Sequence, residues 1–288
     1  MTTRGTGDIV PRSLVWATDL DVLPLDRVIE RHGDHLCVLS PSNPVHYWGN
    51  LLLFDDPPVA GDRPEWERLF EGEIDGSVDG HRAFAWDTRD GSLGAAREEF
   101  VTYGYEVEET VGLVGTPERV RPHRRENREV AVVALDPADG ADLDLWEQVL
   151  SLQAASRDPH LTEAPYLAFV RTRQNDLRRL FVAGRGAWYV ALAPGSREVV
   201  ASCGLVVTGG RGRYQAVDTA EPHRRRGISS RLVVEAAHRA AARFRAEHLV
   251  IAADPDYHAL GLYESLGFER AERVAGVCRP PPDHRANS

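Results

Sequence analysis

Lysine is absent from this 288-residue chain: all 34 side chains counted as lysine plus arginine are arginine. That absence excludes a Walker-type phosphate-gripping lysine, Schiff-base and pyridoxal chemistry, and a Ser–Lys hydrolase. Cysteine is scarce. Cys37, Cys203 and Cys278 are odd in number and widely spaced, which points to reduced thiols rather than a disulfide framework. Cys203, within V-V-A-S-C-G-L-V-V, reads as a small buried hydrophobe. No apolar run approaches the roughly 18 residues of a membrane span, and no basic segment followed by an apolar one opens the chain. A cytoplasmic location without a membrane partner is therefore expected.

Surplus positive charge is missing as well. Residues 1–125 hold 23 acidic side chains against 13 arginines, residues 126–288 hold 21 of each, and the total is −10. A nucleic-acid partner would need a basic face, so none is expected. The acidic first part is either a solvated surface or a wall that attracts a cationic amine. Metal ligands are equally thin: His32 and His35 are suitably spaced, but no cysteine or third histidine joins them, and no metal cofactor is expected. A G-x-G-x-x-G loop is lacking too. Gly210-Arg211-Gly212 is followed by Arg213, Tyr214 and Gln215, and reads as a hairpin turn.

The informative segment is Val217–Arg231, V-D-T-A-E-P-H-R-R-R-G-I-S-S-R. A short strand, Arg213–Thr219, runs through a tight loop into an amphipathic helix over about Ile228–Arg245. Ile228, Leu232, Ala236, Ala240 and Phe244 form its apolar stripe. A first helical turn leaves N–H groups unpartnered and carries about half a positive charge. Arg224, Arg225 and Arg226 add fixed charge, and Gly227 lets an anion approach the backbone, so the junction reads as a phosphate cradle. Downstream, His248–Asp254 reads as a buried strand, followed by Y-H-A-L-G-L-Y-E-S-L-G-F. There Ala259, Leu262, Tyr263 and Leu266 share a helix face, and Gly267 suits the position that ends the helix.

Arg224-x-x-Gly227-x-Ser229 resembles the R/Q-x-x-G-x-G/A signature of the GNAT superfamily of N-acyltransferases, with Ser229 where glycine or alanine is preferred. Leu262-Tyr263-x-x-x-Gly267-Phe268 is similar to the L-Y-x-x-x-G-F segment of that family. The resemblance implies an α/β (α+β) fold of mixed, twisted sheet flanked by helices, and acetyl-CoA or another acyl-CoA as co-substrate. The implied contacts to the acyl-CoA are Val217, Asp218, Thr219, Arg224–Gly227, Ile228, Ser229, Asp254 and Tyr263. Strand 217–219 would hold the pantetheine arm through its backbone. Tyr263 would protonate the departing thiolate, its alternative being a core tyrosine. The implied activity is acyl transfer to an amine, most naturally of a small molecule, by direct attack. The competing possibility is a CoA-binding regulatory or structural protein without turnover.

Direct attack requires a base to take the amine proton, and Asp218, Glu221 and His223 are all near enough in sequence. His223 has the best intrinsic pKa, about 6.5. Asp218 points opposite Val217 and Thr219 and is the preferred assignment.

The chain also contains a distant internal repeat. A-W-D-T-R-D-G-S-L-G-A-A-R-E-E-F-V-T-Y-G-Y-E, residues 85–106, follows the same order as residues 253–269, strand, aspartate, turn, helix, Gly-aromatic-Glu and then another strand, with Phe100 where Tyr263 stands. We therefore expect a degenerate first unit at 1–115, a linker at 116–128, a catalytic unit at 129–278 and a tail at 279–288. In the second unit, strands are expected at Glu129–Leu135, Ala187–Ala193 and Glu198–Thr208, and helices at Asp142–Ala155 and Pro165–Gly184. In the first, strands are expected at His35–Ser40 and Asn50–Phe54. Between them His46, Tyr47 and Trp48 either line an acceptor pocket or belong to a packed hairpin.

Overall fold

The computed structural model describes residues 10–74, 76, 80–138, 140–157 and 162–281. The chain divides into two compact units. The first takes the chain up to Leu20, Asp26–Val111 and the chain from Glu272; the second takes Asp21–Leu25 and Gly112–Ala271. These limits differ from the expected ones. Thr116–Arg128 belongs to the second unit, and Glu272–Cys278 to the first. The polar 116–128 segment has no apolar periodicity because helix ends, not a core, satisfy its backbone. Arg121 N–H donates to the Leu266 carbonyl at 2.9 Å, and Asn127 N–H donates to that of Gly227 at 3.1 Å.

The first unit contains α1 (Leu14–Asp21), β1 (Val28–His32), β2 (His35–Leu39), β3 (Leu51–Phe54), α2 (Asp62–Glu73), β4 (Arg82–Trp86), α3 (Ala96–Glu99) and the start of β5 (Glu106–Gly115). β1, β2 and β3 are antiparallel neighbours, and α2 is the crossover that makes β4 parallel to β3. The buried aromatics Phe54, Trp66, Phe70, Phe84, Trp86 and Phe100 fill its core. Asp87, just past β4, accepts the N–H groups of Arg12 (2.6 Å) and Ser13 (2.9 Å) at the start of α1.

The second unit contains β6 (Ala131–Ala134), α4 (Leu143–Ala155), α5 (Glu163–Val182), β7 (Gly186–Leu192), β8 (Val199–Thr208), β9 (Arg211–Thr219), α6 (Ile228–Phe244), β10 (His248–Ala253), α7 (Leu260–Ser265) and the first residues of β11 (Glu269–Arg279). Its order is β6-β7-β8-β9-β10, antiparallel except for the parallel pair β9–β10. The rest of β11 pairs antiparallel with β4. Gly209 and Gly210, both at positive φ, make the β8–β9 hairpin turn. α4 buries Leu145, Val149 and Leu152, and α5 buries Leu177, Leu180 and Phe181, so the expected periodicities meet the core. The result is the expected mixed sheet flanked by helices.

The repeat extends further than its sequence signature. β2-β3-α2-β4-α3-β5 in the first unit and β8-β9-α6-β10-α7-β11 in the second share one order, with a left-handed glycine after each short helix, Gly104 (φ 85°) and Gly267 (φ 104°). No helix among the described residues is long and apolar enough to cross a membrane.

Candidate functional site

The second unit's sheet opens along one seam. β10 pairs with β9 only at His248–Arg211, Leu249–Gly212 and Val250–Arg213. Beyond that the two strands carry no mutual ladder, which leaves β9 from Tyr214 to Thr219 open on one side. β9 is also bulged there. Ser202 faces Asp218 and Gly204 faces Gln215, so Cys203 alone opposes two residues, Ala216 and Val217. Ala216 takes a left-handed φ of 44°, uncommon for a residue with a Cβ. A bulge leaves its extra residue out of the ladder and re-aims the backbone, and bulges concentrate beside functional sites.

At the end of this strand lies the arginine loop. A single 3-10 turn, Glu221–His223, leads to Arg224, and α6 begins at Ile228 with Gly227 as its cap and no side chain capping its first turn. Arg225 (φ 60°) and Gly227 (φ 73°) are both left-handed, an alternation that turns successive N–H groups into one concavity. The start of this 17-residue helix therefore has no side-chain cap to offset its dipole and first-turn donors. Arg224, Arg225 and Arg226 are exposed, and Arg225 and Arg226 carry no acidic partner among the described residues. Arg224 donates its Nε–H to the Thr219 carbonyl at 3.1 Å, which ties the loop to β9. Tyr214 reaches across to donate its hydroxyl to the Val233 carbonyl at 2.7 Å and fixes α6 against the strand. Gly227 has a second duty. A Cβ there would lie 1.9 Å from the Arg125 carbonyl oxygen, so packing as well as anion approach requires glycine.

Side chains from several segments act on one another around Asp218. Ser156 at the end of α4 and the Arg224 charge both favour the ionised form of Asp218 on β9, while the Ser156 hydroxyl donates to the Leu152 carbonyl at 3.3 Å. Burial nonetheless raises its carboxyl above the ordinary value, the two partners opposing the shift. Tyr263 on α7 is 3% exposed. Burial pushes its phenol well up, and Tyr257, Cys203 and Asp218 add to the shift. Tyr166 on α5 and Tyr257 both feel the Asp218 charge as well, and both phenols are raised mainly by burial. Sequence reasoning missed Ser156, Tyr166 and Tyr257. Only Tyr257 left a signal, as a second tyrosine beside the Tyr263 motif. Of the other candidate bases, Glu221 is exposed and His223 faces Glu198 at 3.8 Å, outside this cluster. Asp254 is exposed and accepts the Asp256 N–H at 2.7 Å, which shapes the turn after β10.

A family comparison bears directly on this unit: residues 179–270 match the model of the acetyltransferase (GNAT) domain. This stretch is similar to a GNAT domain. Solved structures extend the likeness to both units. A functionally unknown conserved protein from Staphylococcus epidermidis is similar at a TM-score of 0.70 and 13% identity, over 88% of this chain and 94% of that one. A GCN5-related N-acetyltransferase from Kribbella flavida gives 0.62 and 13%, over 95% and 96%. A tandem GNAT protein from the clavulanic acid biosynthesis pathway gives 0.56 and 12%, over 93% and 89%. At such identities the likeness shows the fold. No curated protein matches the sequence significantly.

The first unit lacks these features. Its parallel pair is zipped to the strand ends, with Leu52–Phe84, Leu53–Ala85 and Phe54–Trp86 in register. Phe54 stacks on Trp66 at 3.7 Å, and Phe100, the counterpart of Tyr263, is fully buried among these rings. The first turn of α2 carries Asp62 and Glu65, which repel rather than attract phosphate. His46, Tyr47 and Trp48 are half-buried: Tyr47 lies 4.5 Å from His81 and Trp48 lies 6.0 Å from Trp16 between ring centroids. His46 O and Asn43 O both accept from the Asn50 amide.

Proposed function

We propose that the second unit is an acyl-CoA-dependent N-acyltransferase, with acetyl-CoA as the first donor to test and a small-molecule amine as acceptor. The single observation that carries this reading is the coincidence on one strand of an open, bulged edge and an uncapped, arginine-flanked helix start. The cradle formed by Arg224–Gly227, Ile228 and Ser229 binds the pyrophosphate. The backbone of Val217–Thr219, open on the side away from β8, binds the pantetheine arm as an added strand would pair with an open edge.

Acyl transfer then needs three services. The amine attacks the thioester carbonyl and passes its proton to Asp218, whose raised pKa brings a carboxylate closer to the range useful for a general base. The tetrahedral oxyanion receives a hydrogen bond from the N–H freed at the Ala216–Val217 bulge. The C–S bond breaks as Tyr263 gives its hydroxyl proton to the thiolate. A phenol raised by burial is fully protonated beforehand and is re-protonated after release. A non-catalytic CoA-binding role has less support, because such a protein needs the cradle but not the Asp218–Tyr263 cluster.

Thermal-shift titration with acetyl-CoA, longer acyl-CoAs, free CoA and ATP tests the binding. A saturating ligand at 100 times its Kd adds about 2.7 kcal/mol. A shift with CoA species and none with ATP is expected, followed by thiol release with an amine panel. No shift with any CoA in folded protein overturns the proposal.

A further inference from the structure

The first unit gathers a second constellation, independent of acyl transfer. His32 closes β1 and His35 opens β2, and the two face each other as a cross-strand pair at the hairpin end. Glu73 closes α2 and reaches both. His32 Nδ1 lies 2.9 Å from Glu73 Oε2, and His35 Nε2 lies 3.1 Å from the same oxygen. One ligand-type atom from each residue lies within 4.8 Å of the other two. Tetrahedral zinc, with bonds of about 2.0–2.1 Å, holds its ligand atoms roughly 3.3 Å apart. Glu73 Oε2 is already at that scale from a nitrogen of each imidazole. Sequence spacing offered only the two imidazoles, since Glu73 comes 38 positions after His35.

The outer ring separates this cluster from an ordinary ion pair. His35 turns its other nitrogen, Nδ1, to Asp34 Oδ1 at 3.1 Å, and His32 turns Nε2 toward Glu30 Oε2 at 3.5 Å. Metal-ligating histidines hold their second nitrogen on a carboxylate in this way, which fixes ring orientation and raises ligand basicity. His35 is 3% exposed, with its ring 5.0 Å from that of Phe54, so its donor atom is preset. His32 is half-exposed and leaves a path for an ion and a water to enter.

We propose that His32, His35 and Glu73 bind a divalent transition-metal ion of the zinc class, with water in the fourth position and Asp34 and Glu30 orienting the imidazoles. The ion clips the β1–β2 hairpin, whose outer strand is a sheet edge, to the end of α2. Imidazole ligands favour zinc-class ions over magnesium or calcium.

The test uses the full chain after chelator treatment, titrated with Zn²⁺ and with Co²⁺ as a spectroscopic probe. One Zn²⁺ per chain, a rise in Tm and the visible absorption of four-coordinate Co²⁺ are expected. His32→Ala removes a half-exposed ligand and Glu73→Gln keeps the volume; each is expected to weaken Zn²⁺ by more than the about 10–100-fold cost of losing an outer partner. Asp34→Asn leaves all three ligands in place and is expected to cost about 10–100-fold. Wild-type protein with no stoichiometric zinc, an equal response to Mg²⁺, or folded His32→Ala protein binding like wild type would each overturn the site.

Discussion

Replacing Gly227 by alanine tests whether the phosphate cradle is shaped by packing as well as by charge. Gly227 sits at φ 73°, a left-handed conformation that costs a residue with a Cβ about 1–2 kcal/mol. The new methyl would lie 1.9 Å from the Arg125 carbonyl oxygen and 2.9 Å from Asn127 N. Both are backbone atoms, so the 125–127 segment must move. That movement removes the Asn127 N–H bond to Gly227 O (3.1 Å) and the Asn127 Nδ2 bond to Arg226 O (3.3 Å). At about 1 kcal/mol for each hydrogen bond, the total loss is about 3 kcal/mol. For a folding unit of this size, 1 kcal/mol moves Tm by about 2–4 °C, so a fall of roughly 6–12 °C is expected. Acyl-CoA protection should fall with it, because the same residue caps α6. Gly261→Ala is the control: that glycine lies within α7, and a Cβ there meets nothing within 4 Å. It is expected to be neutral or to stabilise by up to about 1 kcal/mol. A Gly227→Ala protein melting within about 2 °C of wild type, with unchanged acyl-CoA binding, would refute the packing role.

Three further outcomes separate the roles within the seam. Tyr263→Phe is expected to lower kcat by about 10²-fold while leaving acetyl-CoA affinity near wild type, and unchanged turnover retires Tyr263 as the acid. Arg224→Glu is expected to weaken CoA binding by well over tenfold in a direct titration, since it reverses charge at the cradle and releases the Thr219 carbonyl. Asp218 has a pKa raised by burial. The folded state therefore holds its proton to higher pH than the unfolded chain, and the residue's contribution to stability falls as pH rises from the unfolded value of about 3.9 through the raised one. The acid limb of kcat/KM is accordingly expected above the ordinary aspartate range and should vanish in Asp218→Asn, which should also gain stability relative to wild type above that limb. A limb that survives the substitution sinks Asp218 as the base.

Much of the second unit was legible because its signals are local. The stripe of α6, the periodicities of α4 and α5, and the glycine that ends α7 depend on residues within a turn or two of each other. The arginine-glycine junction was legible for the same reason: helix donors, a glycine and three cations are consecutive in sequence. The first unit was less so. α1 and α2 went unread, and β1, V-I-E-R-H, has exposed ends and no clean alternation. β5 and β11 were legible only as the strand that follows each Gly-aromatic-Glu. Each passes from one unit into the other partway along its length, which no local pattern encodes.

The sequence by itself determined the chemistry on offer: no lysine, three arginines and a glycine at a helix start (Arg224–Gly227), a tyrosine motif at 263 and a repeat without either feature. Tertiary structure alone decided which groups meet. The parting of β9 from β10 after Val250, the bulge opposite Cys203, and the convergence of Ser156, Tyr166, Tyr257 and Tyr263 on Asp218 depend on strand pairing and helix packing between residues up to about a hundred positions apart. Glu73 joins His32 and His35 for the same reason. Side-chain identity is written in the chain, but proximity across a sheet is set by register and burial, which the whole fold must settle together.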